Sequence, residues 1–186
     1  MLELNFQPFP ILKTNRLILN QLVDDDAAQY FRMRSDPRVR KYMDKAPDKD
    51  VSAALKKIRE IETNRVENKG INWVLRLKDT NEFMGDLGVW RFDCAHYRAE
   101  LGYSLLPEFH GKGYMTEALN AILDFAFEEV KVHSLEANTH PDNASSMALL
   151  KKVGFREEAY FTENYFYAGK FLDSRIFSLL EKWRIV

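Results

Sequence analysis

The run Leu106-Pro107-Glu108-Phe109-His110-Gly111-Lys112-Gly113-Tyr114-Met115-Thr116 gathers the residues of this chain best suited to hold an anion. Gly111 and Gly113 allow dihedrals that other residues avoid, and they remove side chains where a ligand would approach the backbone. Successive amides in such a turn, with the free N–H groups that open a helix, converge on negative charge, and Lys112 adds a full positive one. That is the chemistry of a pyrophosphate cradle. Two nucleotide motifs do not fit it. A P-loop needs G-x-x-x-x-G-K-[ST], and no glycine precedes Lys112 at that spacing; a dinucleotide fingerprint needs G-x-G-x-x-G, and Thr116 stands at its third glycine. Taken alone, the two glycines would equally serve a strand-to-helix turn that needs only their dihedrals.

A cradle needs a strand to deliver the chain and a helix to leave from it. Over 97–105, Ala99, Leu101, Tyr103 and Leu105 alternate with Arg98, Glu100, Gly102 and Ser104, predicting a strand that Pro107 ends. Met115, Ala118, Leu119, Ile122 and Ala126 recur on one helical face, predicting a helix over 115–129. Residues 134–140 read as a strand, Pro141-Asp142-Asn143 as a turn and N-cap, and 144–153 as a helix stopped by Gly154. Upstream, the opening segment with Pro8 and Pro10 reads as irregular and 16–22 as a strand. Asp24-Asp25-Asp26 caps a helix reaching Arg34, and 51–67 is a mixed-charge helix with a thin apolar stripe. Residues 71–77 and 82–92 form a hairpin, with Trp73 and Trp90 expected in the core, and 157–167 with 171–180 form another. The order strand, helices, three strands, helix, strand, helix, two strands indicates an α/β protein with a mixed sheet, not a regular doubly wound one.

The 186 residues suit one domain, expected over 1–186, with no linker or internal repeat. With 27 Lys+Arg against 28 Asp+Glu, the net charge of −1 argues against global attraction to nucleic acid or an anionic membrane. No apolar run approaches the ~20 residues that cross a bilayer, and the first residues lack the pattern of an export signal. Cys94 stands alone, so no internal disulfide forms, as befits a reducing cytoplasm. Cys94-Ala95-His96 offers two metal ligands at most, so no metal is expected.

Three blocks in order carry a family resemblance. The first is Ala99-Glu100-Leu101-Gly102-Tyr103-Ser104-Leu105 running into Gly111-Lys112-Gly113-Tyr114-Met115-Thr116-Glu117-Ala118. The second is Asn143-Ala144-Ser145-Ser146 with Leu149 through Glu158, and the third is Ala168-Gly169-Lys170-Phe171-Leu172-Asp173 leading to Trp183. With Thr14-Asn15-Arg16-Leu17 they span 14–183, and the chain resembles the GCN5-related N-acetyltransferase (GNAT) superfamily, in its branch similar to the RimJ/RimL ribosomal-protein acetyltransferases. Two positions depart from the pattern. Aligned on Gly113, the usual Gln/Arg-x-x-Gly-x-Gly/Ala loop begins here at His110 and ends at Met115. The tyrosine general acid that many relatives carry on the second helix is Leu150, which has no proton to give.

The resemblance implies a mostly antiparallel sheet splayed between the 97–105 and 134–140 strands, with helices on both faces and acetyl-CoA in the splay. Tyr103, Ser104 and Leu105 would bond the pantetheine through their backbone, and the amides around His110, Gly111, Lys112, Gly113, Tyr114, Met115 and Thr116 would hold the pyrophosphate. Asn143 would touch the pantetheine or thioester region, and Ser146 would hydrogen-bond the departing sulfur or orient the amine, a serine hydroxyl being a poor acid for full proton donation; each residue equally suits a helix N-terminus. For the general base the resemblance points to Glu100 or Glu136, each also at home as an ion-paired strand carboxylate. Some relatives use a glutamate on the penultimate strand, where this chain has Tyr165, with Glu163 two residues back. The expected reaction is acetyl transfer to a primary amine by direct attack, with no covalent enzyme intermediate. Deprotonating a lysine costs about 3.5 kcal/mol more than an α-amine at neutral pH, so an ill-defined base favours a protein N-terminus. A small amine such as an antibiotic or polyamine, a non-catalytic CoA-binding module and a phosphate-binding regulatory domain are the alternatives. The segments expected around the acceptor, chiefly 34–50, 93–97 and 160–170, carry no readable code for it. The terminal hairpin leaves an edge for a homodimer, with a monomer the other expectation.

Overall fold

The computed structural model describes residues 1–184, so the last two residues of the expected 1–186 domain lie outside the described residues. Eight strands form one sheet in the order β1-β2-β3-β4-β5-β6-β8-β7. Those that build the site are β3 (Gly70–Leu77), β4 (Phe83–Asp93), β5 (Arg98–Leu105) and β6 (Ser134–Thr139). The first two strands are β1 (Leu12–Lys13) and β2 (Leu17–Gln21), and the last two are β7 (Arg156–Tyr167) and β8 (Lys170–Leu180). Every neighbouring pair is antiparallel except β5 and β6, which run parallel. A parallel step needs a crossover, and α4 (Tyr114–Asp124) supplies it.

The period-2 alternation sorts the sheet into two faces. Leu17, Leu19, Trp73, Leu75, Leu87, Val89, Ala99 and Leu101 are buried, and α4 offers Met115, Ala118, Leu119, Ile122 and Leu123 to the same core. At about 1.5–3 kcal/mol per large apolar side chain, those helix residues contribute roughly 6–12 kcal/mol before entropy. On the other face lie α1 (Ala27–Ser35), the short α2 (Pro37–Arg40) and α3 (Val51–Val66), which bury Tyr30, Met33, Ala54 and Ile58. Asp36 accepts from the Arg38 amide at 2.8 Å and Asp50 from the Ala53 amide at 2.9 Å, so each of the last two helices starts on a carboxylate cap. The second crossover helix, α5 (Ala144–Lys152), starts on Asn143 and ends before Gly154, whose φ is +97°.

Three details differ from the sequence reading. The opening segment, expected to be irregular, contributes β1 to the sheet edge. The helix expected over 115–129 is α-helical only to Asp124 and then widens into one π turn, Phe125–Glu129. The widening buries Phe125, Ala126 and Phe127 in succession and sets Phe125 edge-on to Trp73 at 5.3 Å. Trp90, expected in the core, is half-buried and lies over Gly102, its Cη2 only 2.6 Å from where a Cβ would stand.

Candidate active site

The site begins where two strands part. β5 and β6 pair at Arg98↔Ser134, Ala99↔Leu135 and Glu100↔Glu136, and then diverge. Beyond that fork β5 stays paired with β4 as far as Leu105↔Gly85, but its other edge has no strand partner. Backbone groups seek hydrogen bonds, so this edge, carrying Tyr103, Ser104 and Leu105, is where an extended ligand can stand in for a strand. The expected splay between these two strands is therefore present.

The turn that follows has the conformation its glycines predict. Gly111 and Gly113 have φ of +72° and +79°, and a Cβ on Gly111 would meet nothing within 4 Å. Glu117 N donates to Gly113 O at 3.1 Å as α4 begins, leaving the amides of Tyr114, Met115 and Thr116 without intrahelical acceptors. Met115 buries its side chain in the core. His110, placed at the head of the loop by the resemblance, turns its ring back, its Nε2 lying 2.9 Å from Leu105 O at the end of β5.

What buttresses the turn comes from the start of the chain. The Arg16 guanidinium donates to Lys112 O at 3.0 Å and Glu117 Oε2 at 2.7 Å, and it lies 4.4 Å over the Tyr114 ring. Glu117 Oε1 also accepts from Thr14 Oγ1 at 2.6 Å and from the Arg16 amide at 2.7 Å. Burial pushes the Glu117 carboxyl up, but these donors outweigh it and hold the group below its ordinary range. Thr14-Asn15-Arg16-Leu17 entered the sequence reading only as part of the resemblance; the structure gives it this physical task.

Across the gap, Tyr103 on β5 meets Ser146 in the first turn of α5, the two hydroxyl oxygens 2.8 Å apart. The sequence pointed to Tyr103 for its backbone alone. Burial pushes the phenol up to about 12, against the Ser146 bond that lowers it, so Tyr103 is protonated at neutral pH. Asn143 caps α5, its Oδ1 accepting from Ser146 N at 3.1 Å and from Ser145 Oγ at 2.9 Å. Leu150, where many relatives have tyrosine, is fully buried and faces the core. Tyr103 and Ser146 thus bring two hydroxyls together across this gap.

Glu100 and Glu136 sit side by side at the fork, each held by an arginine: Arg91 Nη1 reaches Glu100 Oε2 at 2.6 Å, and Arg98 Nη2 reaches Glu136 Oε2 at 3.0 Å. A third carboxylate, Asp86 of β4, pairs with Ser104 on the face covered by α1 and is buried. The sequence signal for it, a charge inside the otherwise apolar run Phe83-Met84-Gly85-Asp86-Leu87-Gly88-Val89-Trp90, was there to be read. The Tyr165 hydroxyl donates to Asp44, and Tyr42 stacks on His140 at 5.5 Å, tying the segment after α2 to β7 and the turn before α5. Among the described residues no group of three or more His, Cys, Asp or Glu is placed to hold a metal ion, and no helix is long and apolar enough to cross a membrane.

Residues 16–156 match the model of the acetyltransferase (GNAT) domain. The chain belongs to the GNAT family. The uncharacterized N-acetyltransferase YoaA of Bacillus subtilis is 30% identical over 173 residues, which cover 93% of this chain and 98% of YoaA. Mycobacterium smegmatis RimJ, solved with CoA-disulfide, superposes with a TM-score of 0.81 at 24% identity over 89% of this chain and 82% of RimJ. RimL, a ribosomal L7/L12 α-N-protein acetyltransferase solved with CoA, gives 0.83 at 16% identity over 92% of this chain and 98% of RimL. At these identities the two structures establish a shared fold. The GNAT family draws its acetyl group from acetyl-CoA, and this member is an N-acetyltransferase.

Proposed function

We propose that this N-acetyltransferase passes the acetyl group of acetyl-CoA directly to a protein N-terminal α-amine, in the manner of the RimJ/RimL branch and within the reducing cytoplasm. The observation that carries the reading is the Tyr103–Ser146 hydroxyl pair, which spans the gap in line with the free edge of β5. Pantetheine lies along Tyr103, Ser104 and Leu105, and the pyrophosphate rests on the amides from Gly111 to Thr116. The amine attacks the thioester carbon, and the sulfur leaves as a thiolate, a good leaving group with pKa near ~8.5. Ser146, hydrogen-bonded to a protonated phenol, is well placed to bond that sulfur and pass it a proton. This supplies what the missing tyrosine at Leu150 would have supplied, and it weighs against a non-catalytic module. An α-amine of pKa ~7.8 asks least of the base, and RimL, which shares the fold, acts on an α-amine by name.

Calorimetry with CoA and thiol release from acetyl-CoA test the reading, using spermidine and a tetrapeptide with a free amino-terminal alanine as acceptors. Binding with turnover on the peptide is expected. Binding without turnover on either acceptor returns the CoA-binding module, and turnover on spermidine alone returns a small-amine enzyme.

A further inference from the structure

Two carboxylates are buried among the described residues, and the fold treats them in opposite ways. Asp26 is bonded directly to the Arg76 guanidinium, charge against charge. Asp86, 9% exposed, has a hydroxyl partner instead: Tyr30 donates to its Oδ2 at 3.3 Å, and Ser104 stands opposite it across the strand pair. The arginine that acts on it, Arg34, is committed to Asp48 through bonds of 2.6 and 3.3 Å. Burying a carboxylate without its own counter-ion is costly, and folds keep such groups where they are used. Burial pushes Asp86 up to about 6, although Arg34, Ser104 and Tyr30 all pull it down.

Position argues in the same direction. Ser104, the partner of Asp86, lies on β5 beyond Glu100, the last residue of that strand paired with β6. Asp86 is therefore one strand in from the open edge, on the face packed by α1. Tyr103 points the opposite way by strand alternation, toward Ser146 on the other face. A thioester laid on the β5 edge would have a carboxylate on one side and the hydroxyl pair on the other. Trp90 lies over Gly102 on the carboxylate side. Glu100 and Glu136 share this side, but each already has an arginine.

We propose that Asp86 takes the proton of the incoming ammonium, so that the acceptor reaches the thioester as a neutral amine. The inference rests on the acetyl-transfer reading above. One ammonium proton goes to Asp86 and then to solvent. The nitrogen lone pair bonds the carbonyl carbon, and the C–S bond breaks with its electron pair on sulfur. A second proton leaves the nitrogen to solvent by way of the regenerated Asp86 carboxylate, one proton passes from solvent through the hydroxyl pair to sulfur so that both hydroxyls stay protonated, and the third ammonium proton stays on the amide. The groups facing Asp86 are Tyr30 and Arg34 of α1, Asp48 behind Arg34, and the Ser104 hydroxyl of β5. Tyr30 is held far above its ordinary range by burial and stays neutral throughout.

The kinetic test uses the alanine tetrapeptide and spermidine. Wild-type kcat/KM falls with a limb near pH 6, and Asp86→Asn loses about 100-fold or more at pH 7 while its CoA affinity stays within about twofold. The loss shrinks as pH nears the acceptor's own pKa. A variant within about threefold of wild type at pH 7, or one that keeps the limb, overturns the proposal. A second measurement needs no turnover. In the CoA complex, the carboxyl carbon resonance absent from Asp86→Asn is followed by NMR against pH, with and without acceptor. A bound ammonium lowers its midpoint, and because the Asp86 carboxyl resonance is also assigned in the wild type through its own backbone correlations, a midpoint unmoved by either acceptor overturns the proposal even if the variant fails to fold. Failure of CoA itself to bind sinks the parent reading and takes this one with it, a result distinct from both.

Discussion

Replacing Asp86 by Asn should make the protein more stable while it makes the enzyme worse. In the fold the carboxyl titrates at about 6 instead of 3.8, because burial disfavours its anion. At about 1.4 kcal/mol per pH unit, the charged form at pH 7 opposes folding by about 3 kcal/mol. The sign follows from proton counting. Between pH 4 and 6 the native state binds more protons at this site than the unfolded chain, so wild-type stability falls as pH rises through that window. Asparagine keeps an acceptor for the Tyr30 hydroxyl and carries no charge. The gain is therefore absent below about pH 4, grows to pH 6, and levels off near 3 kcal/mol as an upper bound. At about 2–4 °C per kcal/mol for a chain of this size, the melting temperature at pH 8 rises by up to roughly 10 °C. Urea unfolding of both proteins at pH 4, 6 and 8 measures the difference directly. A gain equal at all three values, or a loss at pH 8, would refute the view of Asp86 as a buried charge that its partners compensate only in part.

Ser146→Ala should lower kcat by about 10- to 100-fold with CoA affinity nearly unchanged, and Tyr103→Phe added to it should cost little more, since the two hydroxyls act as one pair; full additivity in steady-state rates would separate them. Gly113→Val forces a β-branched residue to φ +79°, so calorimetry should show CoA binding lost from a chain whose far-ultraviolet circular dichroism is unchanged. Glu117, held below its ordinary value, stabilises the fold above about pH 4.5, and that contribution disappears as pH falls through its folded midpoint. The difference in melting temperature between wild type and Glu117→Gln should therefore narrow on acidification, and a constant difference from pH 7 to pH 3 would contradict the assignment.

The elements were legible because each is locally self-consistent. The stripe of α4, the alternation of β5 and the Asn143 cap each need only neighbours in sequence. The splay and the glycine turn followed from resemblance plus the dihedral needs of Gly111 and Gly113. What stayed hidden depends on contacts between distant residues. Arg16 braces a turn almost a hundred positions away, and the Tyr103 hydroxyl finds Ser146 only after β5 and α5 are placed on either side of the gap. Asp86 was concealed differently: an apolar run containing one charge predicts a buried strand, and attention goes to the apolar residues. Glu100 and Glu136 drew notice by their strand positions, but their arginine partners Arg91 and Arg98 follow only from strand pairing and side-chain reach.

The three residue pairs that join β5 to β6 make the sheet two slabs sharing a short seam, five strands on one side and three on the other. A ligand bound as proposed in the open part of that seam would complete it as a keystone completes an arch. Substrate loading would then stiffen the molecule along that seam, and each product departure would loosen it again.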